Sequence, residues 1–200
     1  ADKFLKVKSI SGSGSTAIGQ LEFADGSGGV TSDAQNNTTA GTGAGASFSG
    51  TDATDNTLFG KDAGNDITTG DANTAFGSLA LDANTSANHN AAIGYLSLTL
   101  NTTGAQNTAT GSRSLQANTT GSNNTATGFR ALGGNTTASS NSAFGYLALV
   151  NSTTASNNTA VGHRALEDNT TGGNNVAIGA FALDANTTAG SNVAVGTSSL

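Results

Sequence analysis

The sequence predicts an all-β chain wound as a parallel β-roll or β-solenoid of 17-residue coils, and three recurrences carry that prediction. Asn56, Asn73, Asn90, Asn107, Asn124, Asn141, Asn158, Asn175 and Asn192 return every 17 residues without insertion or deletion. A glycine stands four places after each, from Gly60 to Gly196. Four places further on stand Leu81, Leu98, Leu115, Leu132, Leu149, Leu166, Leu183 and Leu200. A fixed short period marks a chain that buries its core by stacking equal coils.

Two regions follow from where the register holds. Residues 1–10 alternate lysine with apolar side chains, and Lys3, Phe4, Leu5, Lys6, Val7 and Lys8 read as a short strand suited to docking. Residues 11–55 are rich in Gly, Ser, Thr and Asp and stand outside the register, so 1–55 reads as an N-terminal attachment or head region. Residues 56–200 read as the repeat fibre. Its first unit is degraded, with Leu58 in the alanine place and Gly64 in the leucine place, as terminal coils often are.

Within each unit the local structure is argued from glycine, asparagine and alternation. Glycine recurs too often for a useful helix, since each costs about 1 kcal/mol relative to Ala. Phrases such as Asn175-Val176-Ala177-Ile178-Gly179 alternate with the period of two that suits a strand. Asn-Gly, the strongest sign of a two-residue hairpin, never occurs. Coiling is therefore favoured over hairpins, with two strands expected per coil, one from Asn to Gly and one around Ala-x-Leu. At ~4.8 Å per strand spacing, nine units predict a rod of about 43 Å. Leucine should form an apolar column, and the asparagines Asn73, Asn90, Asn107, Asn124, Asn141, Asn158, Asn175 and Asn192 a hydrogen-bonded ladder.

Composition excludes several classes. The formal charge of −6 gives no basic footprint for nucleic acid. No apolar run approaches the ~20 residues that cross a bilayer, so membrane insertion is not expected. Without cysteine there is neither a disulfide framework nor a thiolate metal site. Only 10% of residues are charged and 5% aromatic, a composition shared with disordered polar chains, but linkers need no register. The start ADKFLKVKSI lacks a secretory apolar stretch, so the chain reads as a product made in a cytoplasm, the alternative being a mature secreted chain whose leader has been removed.

One leucine per coil encloses little apolar area against ~1–2 kcal/mol of backbone entropy per residue, so a lone rod looks marginal. Ala75, Ala92, Ala109, Ala126, Ala143, Ala160, Ala177 and Ala194 share a strand face with the glycines. So small a face suits another backbone close by, which predicts an intertwined or side-by-side homotrimer.

The phrases Asn158-Thr159-Ala160-Val161-Gly162, Asn175-Val176-Ala177-Ile178-Gly179 and Asn192-Val193-Ala194-Val195-Gly196 resemble the head repeats of YadA-like trimeric adhesins. The resemblance covers residues 56–200 and implies a left-handed parallel β-roll built by three chains. The unit here is longer than that family's by an Asn-Thr-Thr turn, and the family's coiled-coil stalk and β-barrel anchor have no counterpart in the sequence. In this longer form the units look like those of bacteriophage tail-fibre and other virion fibre proteins.

No catalytic, cofactor-binding or metal site can be singled out. His89 and His163 occupy different places in their units and read as surface residues. Glu22 and Glu167 are the only glutamates, and no nucleophile-base pair stands out. The acidic residues from Asp52 to Asp82 lack the register of calcium-binding β-helices. The Asn-Thr-Thr phrases match the glycosylation acceptor, but turn chemistry explains them. Arg113, Arg130 and Arg164 share the second place after glycine, and with Tyr95, Phe129 and Tyr146 they form a stripe suited to sugars or anionic polymers, although ordinary solvated surface is the simpler reading.

The leading expectation is a structural virion fibre, a phage tail or capsid rod that joins other virion proteins through its N-terminal region and presents a surface for host attachment, with host polysaccharide as the receptor class. The alternative is a bacterial cell-surface adhesin or extracellular filament subunit. A third reading is an ice-binding solenoid using the Thr68, Thr85, Thr102, Thr119, Thr136, Thr153, Thr170 and Thr187 column. An enzyme is not expected, nor is a cofactor.

Overall fold

A computed structural model describes residues 5–8, 20–23, 30–49 and 51–200. Lys3 and Phe4, two of the candidate docking residues, lie outside the described residues. β1 (Leu5–Lys8), which contains the other four, pairs antiparallel with β2 (Gln20–Phe23).

The remaining strands make one 11-stranded sheet. β3 (Thr31–Ser32) pairs antiparallel with β4 (Thr38–Ala40) and covers one edge. From β4 onward every pairing is parallel, through β5 (Thr57–Phe59), β6 (Thr74–Phe76), β7 (Ala91–Ile93), β8 (Thr108–Thr110), β9 (Thr125–Thr127), β10 (Ser142–Phe144), β11 (Thr159–Val161), β12 (Val176–Ile178) and β13 (Val193–Val195). Like stacks on like: Ala143 lies between Ala126 and Ala160. The fold is an all-β parallel solenoid with coils of 17 residues.

The coiling begins before the regular register. Asn37 takes the asparagine place one coil ahead of Asn56, and its Oδ1 accepts from the Asn56 backbone N–H at 2.9 Å. That coil holds 19 residues instead of 17, which hides it from a strict period. The boundary drawn at 55/56 therefore moves to about residue 37. Asp33 opens the ladder, its two carboxylate oxygens accepting the Asn37 backbone N–H at 2.8 Å and Nδ2 at 2.9 Å.

Each coil carries one three-residue strand, not two. The Ala-x-Leu segment cannot be a strand because two of its residues are left-handed, for example Leu79 at φ 58° and Leu81 at φ 58°. Ala80 N–H closes a turn on Gly77 C=O at 3.3 Å. The left-handed residues still join coils, and they do so in opposite directions. Leu79 N–H donates back to Lys61 C=O at 2.9 Å, and Leu81 N–H donates forward to Ser97 C=O at 3.0 Å. A non-glycine left-handed residue costs roughly 1–2 kcal/mol, and these inter-coil bonds offset it by satisfying backbone groups that would otherwise be orphaned.

Glycine is required where the strand ends. Gly128 has φ 135°, and a Cβ there would lie 2.4 Å from Gly145 carbonyl oxygen in the next coil. Neither that dihedral nor that approach suits an L side chain.

The core is a column of Leu81, Leu98, Leu115, Leu132, Leu149, Leu166 and Leu183, all buried, packed against alanines from the strand. Ala75, Ala92, Ala109, Ala126, Ala143, Ala160 and Ala177 are wholly buried inside their own coil. This corrects the expectation that they face a neighbouring chain: in a coil this narrow, leucine from the opposite wall leaves room for nothing larger. The degraded unit obeys the same constraint in reverse. Leu58 fills the core from the strand side, and a Cβ on Gly64 would meet Leu58 Cδ1 at 2.9 Å and Ile67 Cδ1 at 2.8 Å. One coil earlier Phe48, in the place that Ile67 holds, packs over Gly45, where a Cβ would lie 2.7 Å from its ring.

Candidate functional site

Among the described residues the chemistry is laid out in columns along the rod. Inside run two ladders of buried amides. In the first, each asparagine backbone N–H donates to the side-chain oxygen one coil back, as Asn107 does to Asn90 Oδ1 at 2.9 Å and Asn124 to Asn107 Oδ1 at 3.0 Å. Its Nδ2 turns across the coil to a carbonyl 14 residues on, for Asn107 that of Gly121 at 2.8 Å.

The second ladder was not read from the sequence, where its residues were assigned to a turn. Asn84, Asn101, Asn118, Asn135 and Asn169 are buried. Asn118 Nδ2 donates to Asn101 Oδ1 at 2.7 Å and Asn135 Nδ2 to Asn118 Oδ1 at 2.7 Å. The 17-residue recurrence of these asparagines was the available signal. Ser152 interrupts the series, and both Asn135 Oδ1 and Ser152 Oγ are buried without a hydrogen-bond partner.

Outside, the coil has three kinds of surface. The sheet face displays the first and third residues after each ladder asparagine, and none of them is charged from Thr38 to Val195. Phe76, Ile93, Phe144 and Ile178 stand on it at 41–44% exposure, far more than a core position allows. Phe59 and Phe76 stack across coils with centroids 4.9 Å apart.

The second surface follows the glycine. Phe129, Tyr146 and His163 stack on consecutive coils at 5.6 and 5.2 Å, and Phe181 meets His163 edge-on at 5.0 Å. Because the rings face one another along the rod, their edges point outward, which makes a poor stacking platform for a sugar. Arg113 and Arg130 are exposed at left-handed positions, φ 59° and 53°. Arg164 Nε lies 3.1 Å from Glu167 Oε2, close enough for an ion pair but poorly aligned to donate a hydrogen bond. From the coil of Asn73 onward, every charged residue on the rod lies between the closing glycine and the second-ladder place of its coil. Near its start, burial and then the carboxylates of Asp66 and Asp62 push the Asp82 carboxyl above its ordinary 3.8, against a smaller opposing pull from Lys61.

The third surface carries the threonine column. Its hydroxyls donate within the rod, Thr102 Oγ1 to Thr119 C=O and Thr119 Oγ1 to Thr136 C=O, both at 3.0 Å. They are thus engaged along the stack, which weakens the ice-binding reading. His89 and His163 stand exposed and apart in different columns, and among the described residues no cluster of metal-ligating side chains occurs. Among the described residues no helix is long and apolar enough to cross a membrane.

Fold and surfaces together define a tandem-repeat β-solenoid, a rod of stacked coils with chemically distinct sides. No protein-family model matches the chain, and searches of curated proteins and of solved structures find no match.

Proposed function

We propose that this chain is a structural fibre protein of a virion, in which three copies associate along their sheet faces into a rod that is fixed to the particle through residues 1–10 and presents its far end to a host surface. The sheet face supports this reading most. It is uncharged through ten successive coils and exposes Phe76, Ile93, Phe144, Val161 and Ile178. Its third-residue column is apolar except at Thr110 and Thr127, and an exposed apolar stripe with charge depleted at its centre is the compositional sign of a protein interface. A partner that covers the whole stripe must share its length and period, and a second and third copy of the chain supply both. The number three comes from the resemblance to YadA-like heads and phage fibres. The role is mechanical and multivalent, because many weak contacts on one particle raise avidity without a strong single site.

Sedimentation equilibrium of the purified chain tests the association: a species of three times 19.4 kDa is expected, dispersed by Val161→Asp, and a persistent monomer would refute it. Trimers lacking residues 1–10 should fail to join particles. The same rod would serve a bacterial surface adhesin, and a gene neighbourhood of secretion components in place of virion components would favour that alternative.

A further inference from the structure

We propose that Arg113 and Arg130, bracketed by Tyr95 and Tyr146, form a binding site for an anionic polysaccharide, which rests on the reading of the rod as an attachment fibre and names the chemistry of what it attaches to.

Charge is sorted along the rod. Although the chain carries −6 overall, no aspartate or glutamate occurs between Asp82 and Glu167, a stretch that contains Arg113, Arg130 and Arg164. Arg164 is engaged by Glu167 at 3.1 Å, whereas among the described residues Arg113 and Arg130 have no carboxylate partner. They occupy the same column on adjacent coils, about one strand spacing apart, ~4.8 Å. Backbones that close let one anionic group be reached by both guanidiniums, and a bound anion offsets the repulsion that two neighbouring cations carry. The backbone beneath them is fixed: Arg113 N–H donates to Tyr95 C=O at 2.9 Å and Arg130 N–H to Ser112 C=O at 3.1 Å.

The neighbouring column supplies the rest. Tyr95 stands one coil before Arg113 and Tyr146 one coil after Arg130, exposed at 49% and 47%. They are the chain's two tyrosines. Each offers a hydroxyl that donates or accepts, the function a sugar hydroxyl needs. Guanidinium forks match carboxylate and sulfate oxygens in pairs, so the site asks for acidic groups repeated along a hydroxyl-rich polymer. Nucleic acid fits less well, because sequence-independent binding depends on many phosphate contacts and this surface offers two free cations on an acidic rod.

The test is binding of the full chain to polygalacturonate, dextran sulfate, uncharged dextran and duplex DNA, each at low and at high salt. Binding to one or both acidic polysaccharides is expected, weakening with salt, with none to dextran. Arg113→Gln/Arg130→Gln should weaken it about ten-fold while sedimenting as the unaltered chain does, and Arg113→Lys/Arg130→Lys, which keeps the charge but loses the paired fork, should bind between the two. Failure to bind either polyanion, equal binding by the glutamine variant, equal binding of dextran, or tighter binding of DNA would each overturn the site. A monomer that still binds would refute the trimeric fibre and leave the site standing; a trimer that does not bind would refute the site alone.

Discussion

Asn107 and Asn118 donate to the same acceptor, the carbonyl of Gly121, at 2.8 and 2.9 Å, and so tie two walls of one coil to a single atom. The arrangement recurs at Ala138, which receives Asn124 at 2.8 Å and Asn135 at 3.0 Å. A buried amide in a narrow coil is costly unless every group is matched, and neighbouring rungs supply the match except where Ser152 leaves Asn135 Oδ1 without a donor.

Asn118→Ala should therefore destabilise beyond the loss of its own bonds. It would leave Asn101 Oδ1 without its donor, a buried orphan costing roughly 1–3 kcal/mol, and remove one of the two acceptors of Asn135 Nδ2, which keeps Ala138 C=O. Urea denaturation is the measurement, and a loss below about 1 kcal/mol would contradict the ladder's role.

Ser152→Asn should stabilise the rod. Asn135 Oδ1 and Ser152 Oγ are unpartnered, and Ala155 C=O receives only Asn141, at 2.8 Å, where Gly121, Ala138 and Gly172 in neighbouring coils each receive two amide donors. A new amide at 152 would serve both Asn135 and Ala155, for a gain of roughly 1–3 kcal/mol. An unchanged or lowered melting temperature would count against this.

Leu58 and Gly64 should behave as a coupled pair. Gly64→Leu alone overpacks a site where even a Cβ meets Leu58 at 2.9 Å, costing about 1–3 kcal/mol. Leu58→Ala alone opens a cavity at a cost of about 2–5 kcal/mol, as Leu132→Ala should in a regular coil. Combined, the two restore the Ala75/Leu81 pairing and leave only the flexible end of Ile67, 2.8 Å from a Cβ at 64, to shift; because Gly64 already has φ 55° against 58° at Leu81, the backbone accepts leucine. A double-mutant cycle should return a strongly favourable coupling; simple additivity would refute the swap.

Asp82 sets a pH dependence of unusual sign for a carboxylate. Its folded pKa is raised, so the folded chain holds the proton more tightly than the unfolded chain does. The stabilisation that protonation provides is present below the ordinary value of 3.8 and is lost as pH rises through the folded value. Asp82→Asn should raise the melting temperature at neutral pH and give no advantage below 3.8. An equal effect at both pH values would show that titration is not the cause.

What the sequence made legible was what repeats in an obvious place. The leucine column, the strand phrase and the closing glycine follow from a period and an alternation. Three features did not follow. Leu79 and Leu81 adopt left-handed backbone that no propensity assigns to leucine, because bonds between coils decide it and not the residue. Asn118 and its counterparts sit beside Thr-Thr, so a turn explained them sufficiently and their burial stayed hidden. The coil from Asn37 differs in length by two residues, and Phe48 and Leu58 fill its core and the next from other walls, so a search for leucine in register passes over both. Of the outward surfaces, the Arg113 column was visible as a recurrence, whereas the apolar sheet face was misassigned because alternation alone does not say which side of a strand faces inward.

The bonds between coils, such as Arg130 N–H to Ser112 C=O at 3.1 Å, run lengthwise, so pulling on an end strains only the outermost turn at any moment. A single chain tugged in this way should pay out in equal jerks, each freeing 17 residues, about 56–61 Å of extended polypeptide. Optical-trap recordings with one abrupt rupture of the whole chain would show instead that the turns hold as a block. Copies bundled alongside one another would have to slide instead of peel, so a bundle should give way only at a higher pulling force than the single chain.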